Sequence, residues 1–175
     1  MTPLSIRPAV TADIAAITRI YRHAVEHGTA SFEIEPPDEI EMARRLHALL
    51  AKRYPYIVAE MATEVVGYAY AGPYRDRRAY DWCVEDSLYV APELHRKGIG
   101  RLLLTHLIAA AETLGFRQML GVIGDSASTG SIGVHAALGF RHIGTFQSIG
   151  FKHGRWLDTV LMQRALGSGD AVPPS

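Results

Sequence analysis

The sequence predicts an α/β protein built on one mixed sheet with helices on both faces. Two observations predict it. Hydrophobic spacing switches along the chain between the helical period of three to four and the strand period of two. The resulting order is β-α-α-β-β-β-α-β-α-β-β, with no internal repeat and no linker. Length agrees, since 175 residues match one domain on a prior of about 150 residues each. A chain of this size buries roughly two-thirds of its unfolded surface, enough for a substantial core. Residues 1–166 are expected to form that single domain, and the Gly/Ser/Pro-rich segment 167–175 a flexible tail.

Each element has a local reason. Leu4 to Pro8 reads as a first strand. Thr11 can cap a helix whose apolar residues Ile14, Ile17, Ile20, Tyr21, Ala24 and Val25 share a face, with Gly28 as its stop. Ser31 to Pro37 is a loop carrying Phe32. Asp38 and Glu41 make a variant capping box, and the helix they open is expected to bury Ile40, Ala43, Leu46 and Leu50. Tyr56–Ala59 and Val65–Tyr70 read as strands around a turn at Ala62-Thr63. An arginine-bearing loop, Gly72 to Arg78, leads to a long strand, Tyr80 to Val90, ended by Pro92. A helix follows Gly98 and Gly100, with Ile99, Leu102, Leu103, Leu107, Ala110 and Leu114 inside and Gly115 as its stop. Met119–Ile123 is an apolar strand, Gly124–Gly130 a polar loop, and Ser131–Leu138 a short helix ended by Gly139. Phe140–Phe151 and Trp156–Arg164 close the chain as a hairpin turning at His153-Gly154.

Composition excludes several classes. A chain that is 48% hydrophobic and 21% charged is neither disordered nor fibrous. Eighteen basic residues balance eighteen acidic ones, so the positive surplus of a nucleic-acid binder or polybasic membrane protein is missing. The single cysteine, Cys83, fits a reducing compartment and reads as a packing residue. Arg7 and Asp13 interrupt any apolar leader, and no stretch reaches the roughly 20 apolar residues of a membrane span. A cytoplasmic protein is expected.

The strongest chemical signal is His95-Arg96-Lys97-Gly98-Ile99-Gly100-Arg101, set between a strand and a helix. Two glycines let the backbone approach a ligand closely. The helix start aims free N–H groups and its positive dipole end at the same spot, and the cations add charge. Such a cradle suits a pyrophosphate. It is not a P-loop, because Arg101-Leu102 stand where Lys-Ser/Thr is required. It is not a dinucleotide fingerprint, because Leu103 takes the third small position. Two further patterns are decoys. His23-Ala24-Val25-Glu26-His27 matches H-x-x-E-H, but the apolar stripe already explains its register and no third ligand is marked, so no metal is expected. Gly124-Asp125-Ser126 lacks the glycine that a nucleophile elbow needs.

Strand, Arg-x-Gly-x-Gly, helix, strand, then Ser131-x-x-x-His135-x-x-x-Gly139-Phe140 resembles the GNAT family of N-acetyltransferases. Ala71-Gly72-Pro73, Ala79-Tyr80-Asp81-Trp82, Glu85, Gly150-Phe151-Lys152-His153-Gly154 and Trp156 resemble its phosphinothricin N-acetyltransferase branch. The likeness runs from about Leu4 to Leu166. It implies a mostly antiparallel twisted sheet and acetyl-CoA as co-substrate. It places the pyrophosphate on His95, Arg96, Lys97, Gly98, Ile99, Gly100 and Arg101, and the pantetheine arm along Leu88, Tyr89 and Val90, with Ser128 and Ser131 nearby. Two positions depart from the pattern. His95 stands where Gln or Arg is usual, and Ser128 where Asn is frequent, behind a loop one residue longer.

A substrate amine attacks a thioester only when neutral, so a base must take its proton. The resemblance points to Glu85, where burial would raise the pKa usefully. The N–H of Tyr89 or Val90 could polarise the thioester carbonyl. His135 occupies the place of a family tyrosine that protonates the departing thiolate, and an imidazole can act there as acid or as second base. Arg75 and Arg77 match substrate-side positions, where guanidinium groups suit carboxylate and phosphinate oxygens. Tyr80 and Phe32 would wall the substrate, and Lys152 would add charge. Arg78 has no such support. The reading is transfer of acetyl to the α-amino group of a small acidic amino-acid-like substrate such as phosphinothricin or methionine sulfoximine, an activity that implies herbicide resistance. Transfer would be direct, in a ternary complex. A protein N-terminus, a polyamine, or a non-catalytic CoA-binding sensor are the alternatives. A homodimer is expected from the resemblance.

Overall fold

The structure, a computed structural model, describes residues 3–174. Seven strands form one sheet: β1 (Leu4–Pro8), β2 (Tyr56–Met61), β3 (Glu64–Pro73), β4 (Cys83–Val90), β5 (Gln118–Gly124), β6 (Arg141–Lys152) and β7 (Arg155–Ala165). Their spatial order is β1-β2-β3-β4-β5-β7-β6. Every neighbouring pair is antiparallel except β4 with β5, which is parallel. The sheet is therefore mixed and mostly antiparallel, as the sequence predicts. Four helices cover it: α1 (Ile14–His27), α2 (Glu39–Ala51), α3 (Ile99–Thr113) and α4 (Thr129–Ala137).

Strand alternation splits the core in two. On one face α1 and α2 press Ile17, Val25, Met42 and Leu46 onto Val58, Tyr68 and Tyr89. On the other, α3 packs Leu103, Leu104 and Leu107 against Ala69, Val84, Met119 and Met162. The two-residue turns fall where expected. Ala62 (φ 51°) and Thr63 (φ 70°), and His153 (φ 52°) and Gly154 (φ 72°), take the positive φ values that match strand twist. Gly28 closes α1 by donating its N–H to the Ala24 carbonyl at 3.0 Å.

Three local expectations are corrected. The long strand starts at Cys83, not Tyr80, because Arg78–Tyr80 form a 3-10 turn. Tyr80 N–H donates to Arg77 O at 2.8 Å and Asp81 N–H to Arg78 O at 3.1 Å, and these bonds override the strand preference of the aromatics. The second correction is the register of α2. Ile40 is 81% exposed and Leu50 is exposed too, while Met42 and Leu46 are buried and Leu49 packs beside them. Asp38 caps the helix by accepting from Glu41 N–H at 2.8 Å. The Glu41 carboxylate turns to Arg44 and Arg45 instead of reaching back to complete the box. Third, α4 begins at Thr129, two residues before Ser131. After β7 the chain folds back, with Gly169 N–H donating to the carbonyl of fully buried Leu166 at 2.8 Å.

The corrected register of α2 has a direct check. Leu46→Ala should destabilise by about 2–5 kcal/mol, the range for a buried leucine. Ile40→Ala should stay within about 0.5 kcal/mol. Urea unfolding of both variants reads the difference.

Candidate active site

The site begins where β4 and β5 part. They pair only over Cys83–Asp86 and Gln118–Gly121. Beyond that, Ser87–Val90 stay with β3 while Val122–Gly124 stay with β7. The edge of β4 facing β5 is thereby left without strand partners. A cavity of about 660 Å³ runs from this opening to the start of α3, lined by Leu88, Tyr89, Val90, Gly98, Gly100 and Ser131 among others. At its inner end is a notch of about 60 Å³, lined by Asp86, Ser87, Ser128, Ser131 and His135.

The start of α3 forms the expected cradle. Gly98 caps the helix at φ 82°, a left-handed conformation that favours glycine, and a Cβ there would meet nothing within 4 Å. Its carbonyl accepts the first helical bond, from Leu102 N–H at 3.1 Å. The amides of the first turn are free of intrahelical partners and point out of the helix end. Of the residues expected at the cofactor, Leu88, Tyr89, Val90, His95, Arg96, Gly98, Ile99, Gly100, Arg101, Ser128 and Ser131 line the long cavity, and Lys97 does not. His95 donates Nε2–H to Val90 O at 3.0 Å, tying the loop to the strand end. Ser128 spends its hydroxyl on Gly124 O at 2.9 Å. The open cradle, its cations and the long groove fit an acyl-CoA.

Glu85 and Asp86 are adjacent and point to opposite faces of β4. Glu85, half-buried, lies on the α1/α2 side, where Gly72 is its partner on β3. Burial first, then the negative charge of Asp86, push its pKa up to about 7. Cys83, two residues earlier, is pushed up to about 11, by burial and then by Glu85.

On the α3/α4 side, His135 is 3% and Asp86 2% exposed in the side chain. His135 Nε2 lies 3.0 Å from Asp86 Oδ2, and Nδ1 lies 2.8 Å from Ser131 O. Burial alone would lower the His135 pKa. The hydrogen bond and charge of Asp86, with the Ser131 carbonyl, outweigh it and raise the pKa above its ordinary value. Asp86 is the residue that sequence reasoning passed over. The available signal was Gly121, a glycine inside an apolar strand. A Cβ there would lie 2.8 Å from His135 Cδ2 and 3.0 Å from Nε2, so only glycine leaves room for the pair.

The substrate-side residues divide. Phe32 lies against Gly124 at the end of β5 and Gly150 on β6, where added Cβ atoms would sit 3.0 Å and 2.3 Å from its ring. Lys152 is buried and donates Nζ–H to Ser31 O at 2.7 Å, and burial lowers its pKa. The Tyr21 hydroxyl bonds Ser31 Oγ at 2.9 Å and Glu33 Oε1 at 3.0 Å, so the loop bearing Phe32 is held from both sides. Arg75, Arg77 and Tyr80 are exposed on the β3–β4 loop and line neither cavity. Tyr80 stands edge-on to Tyr74 at 5.4 Å, and the Arg75 guanidinium lies 5.2 Å from the Tyr74 ring centre. His23 and His27 stack at 4.5 Å on the wall of the long cavity. Ser126 donates to Asp158 Oδ2 at 2.7 Å, a loop tie.

Comparison with known proteins agrees with this geometry. The acetyltransferase (GNAT) domain model matches residues 6–161. The chain belongs to the GNAT acetyltransferase family. A phosphinothricin N-acetyltransferase of Alcaligenes faecalis is 51% identical over 93% of this chain and 82% of its own. An L-methionine sulfoximine/L-methionine sulfone acetyltransferase of Salmonella typhimurium is 39% identical over 93% of this chain and 95% of its own. The crystal structure of a phosphinothricin acetyltransferase from Sinorhizobium meliloti in complex with AcCoA superposes with a TM-score of 0.96 and 49% identity, covering 100% of this chain and 94% of that one. This acetyltransferase therefore uses acetyl-CoA as its co-substrate.

One consequence concerns stability alone. The folded pKa of Glu85, about 7, exceeds the ordinary unfolded value of about 4.3. Between those values the native state binds more protons than the unfolded one, so ionising Glu85 costs stability as pH rises. Glu85→Gln removes that cost. Its Tm relative to wild type should rise between pH 4 and pH 8 in thermal melts, and an unchanged difference would contradict the burial of this carboxylate.

Proposed function

We propose that this acetyltransferase transfers acetyl from acetyl-CoA to the α-amino group of a small acidic amino-acid-like substrate of the phosphinothricin and methionine sulfoximine class. The observation that carries the reading is the groove at the parting of β4 and β5, which opens beside Glu85, a half-buried carboxylate that burial pushes up to about 7. The names of the two relatives above support the substrate class.

In this reading the first-turn amides of α3, with Arg96 and Arg101, hold the pyrophosphate, and Lys97, off the cavity wall, adds only its longer-range charge. The open edge of Leu88–Val90 accepts the pantetheine arm, and acetyl-CoA supplies the thioester. Glu85 takes a proton from the substrate ammonium from the α1/α2 side of β4. Val90 N–H, which faces away from β3, polarises the thioester carbonyl. His135 works from the opposite side, toward the departing sulfur. Phe32 and Tyr80 wall the substrate, Lys152 fixes the loop that carries Phe32, and Arg75 and Arg77, on the exposed β3–β4 loop, supply the acidic substrate's counter-charges.

Residues 1–166 are the catalytic unit of this reading, acting as a homodimer in the cytoplasm. Support for association comes from the edge strand and its neighbour, where Ile143, Phe146, Ile149, Phe151 and Trp156 are each more than half exposed. Support for the compartment is the free cysteine. No helix among the described residues is long and apolar enough to cross a membrane.

Two measurements test the proposal. Release of free CoA should be fastest with phosphinothricin or methionine sulfoximine in a panel that includes polyamines and peptide N-termini. Preference for a polyamine or a peptide would replace the substrate assignment, and acetyl-CoA binding without turnover would make the chain a sensor. Glu85→Gln should lower kcat by about 10²–10⁴, and the acidic limb of the wild-type rate profile should fall near pH 7, as Glu85 loses its proton.

The cradle has its own test. Asn tolerates the left-handed backbone of Gly98, so Gly98→Asn should keep the fold while filling the open space above the first-turn amides. Acetyl-CoA affinity should drop by about tenfold or more, in line with a lost charge-assisted contact. Unchanged affinity by calorimetry would place the pyrophosphate elsewhere.

A further inference from the structure

The contacts of His135 fix where its protons are. Nδ1 faces the Ser131 carbonyl oxygen at 2.8 Å. A carbonyl only accepts, so Nδ1 carries a hydrogen. Nε2 faces Asp86 Oδ2 at 3.0 Å. A neutral imidazole would then set a lone pair against a carboxylate lone pair. A proton must therefore lie between Nε2 and Oδ2, and the pair holds one proton more than a carboxylate beside a neutral ring. Both side chains are almost fully buried, so the pair is neutral where an isolated charge would be costly.

Three observations tie this pair to chemistry rather than to packing. It lines the notch at the inner end of the long cavity. Asp86 Oδ1 is buried and has no hydrogen-bond partner among the described residues, a condition that native interiors seldom tolerate without a role. Gly121 clears the space in which the two side chains meet.

We propose that Asp86 is a positioning residue that keeps His135 protonated, making the pair the store from which sulfur is protonated as the acetyl group leaves it. This rests on the acetyl-transfer reading above. The C–N bond forms and the C–S bond breaks. The substrate ammonium gives up two protons, the first to Glu85 before attack. The pair's proton passes to sulfur, giving neutral CoA thiol and leaving Asp86 as carboxylate beside a neutral ring. One of the two protons from nitrogen returns to the pair and the other reaches solvent. The net change is one amide, one thiol and one released proton.

The surroundings of the pair contain few competing charges. Ser128 and Ser131 flank it from the start of α4, Gly121 from β5, and Leu88 from β4. Phe140 stands edge-on to the imidazole at 4.9 Å. Glu85 is the nearest further ionisable group on β4 and points to the opposite face.

Imidazole ¹⁵N spectra and pH–rate profiles of wild type and Asp86→Asn test the proposal. In wild type near pH 7.5 both His135 nitrogens should carry hydrogen. In Asp86→Asn, Nε2 should lose its hydrogen at a pH lower by about one unit or more. The basic limb of kcat should move down with it, and kcat at pH 8 should fall about tenfold or more, with KM for acetyl-CoA within about threefold. The acidic limb should also move down, because Glu85 loses a neighbouring negative charge. A neutral His135 in active wild type, or an unshifted basic limb with normal kcat in a folded Asp86→Asn protein, overturns the proposal. The wild-type spectrum decides the protonation state even if the variant fails to fold. Should wild type acetylate no amine, the functional reading fails and takes this role of the pair with it.

Discussion

Strands β4 and β5 are joined over Cys83–Asp86 and Gln118–Gly121, and the features of the site lie where that pairing stops. Buried backbone N–H and C=O groups need partners. Along Ser87–Val90 the side facing β3 is satisfied, while the side facing β5 has no strand partner and only its Val90 carbonyl is taken, by His95 Nε2–H. An extended ligand with its own amides can complete that edge as another strand would. The cradle at Gly98 sits at one end of the groove and the Asp86–His135 pair at the other. The parting of two strands thus opens the groove that, in the proposed function, takes the acyl-CoA with its thioester end toward the pair.

The second constraint is alternation. Successive residues of a strand face opposite sides, so Glu85 and Asp86 are neighbours in sequence yet belong to different half-cores. Glu85 faces the tyrosine-rich side under α1 and α2, where it has no ion-pair partner among the described residues and burial raises its pKa. Asp86 faces α4 and finds His135. Two proton-handling groups can therefore act from opposite sides of one backbone. They remain coupled, because the negative charge of Asp86 is part of what raises Glu85.

Much of this was legible in the sequence because it was written in local signals. The strand–glycine–helix cradle depends on residues within one heptad of each other, and positive φ at Gly98 is what glycine there suggests. Hairpin turns at Ala62-Thr63 and His153-Gly154 came from strand periodicity on both sides. The register of α2 was not legible, since Ile40 and Met42 are equally apolar and the choice between them is made by tertiary contacts. Met42 and Leu46 pack into the cluster with Tyr21, Tyr56 and Tyr68, while Arg45 reaches out to Glu33. Asp86 was missed for a related reason. Its partner is 49 residues away, and beside Glu85 it looks like one more solvated carboxylate. Lys152 reads as a charge for the substrate, whereas burial and Ser31 O make it a brace for the loop of Phe32.

These groups set stability against activity through pH. Glu85 and His135 both have folded pKa values raised above their ordinary ones. For each, the native state binds more protons than the unfolded state in the window between the two values, so stability falls as pH rises through it. For Glu85 that window runs from about 4.3 to about 7. For His135 it opens near 6.5 and closes at the raised value. In the proposed mechanism, activity needs Glu85 without its proton and the Asp86–His135 pair with one. The working range therefore lies between the two folded values, after the stability cost at Glu85 has been incurred and before that at His135 has. Burial of the carboxylate and pairing of the imidazole open this range from its two ends, and the alternation of β4 keeps the two environments apart.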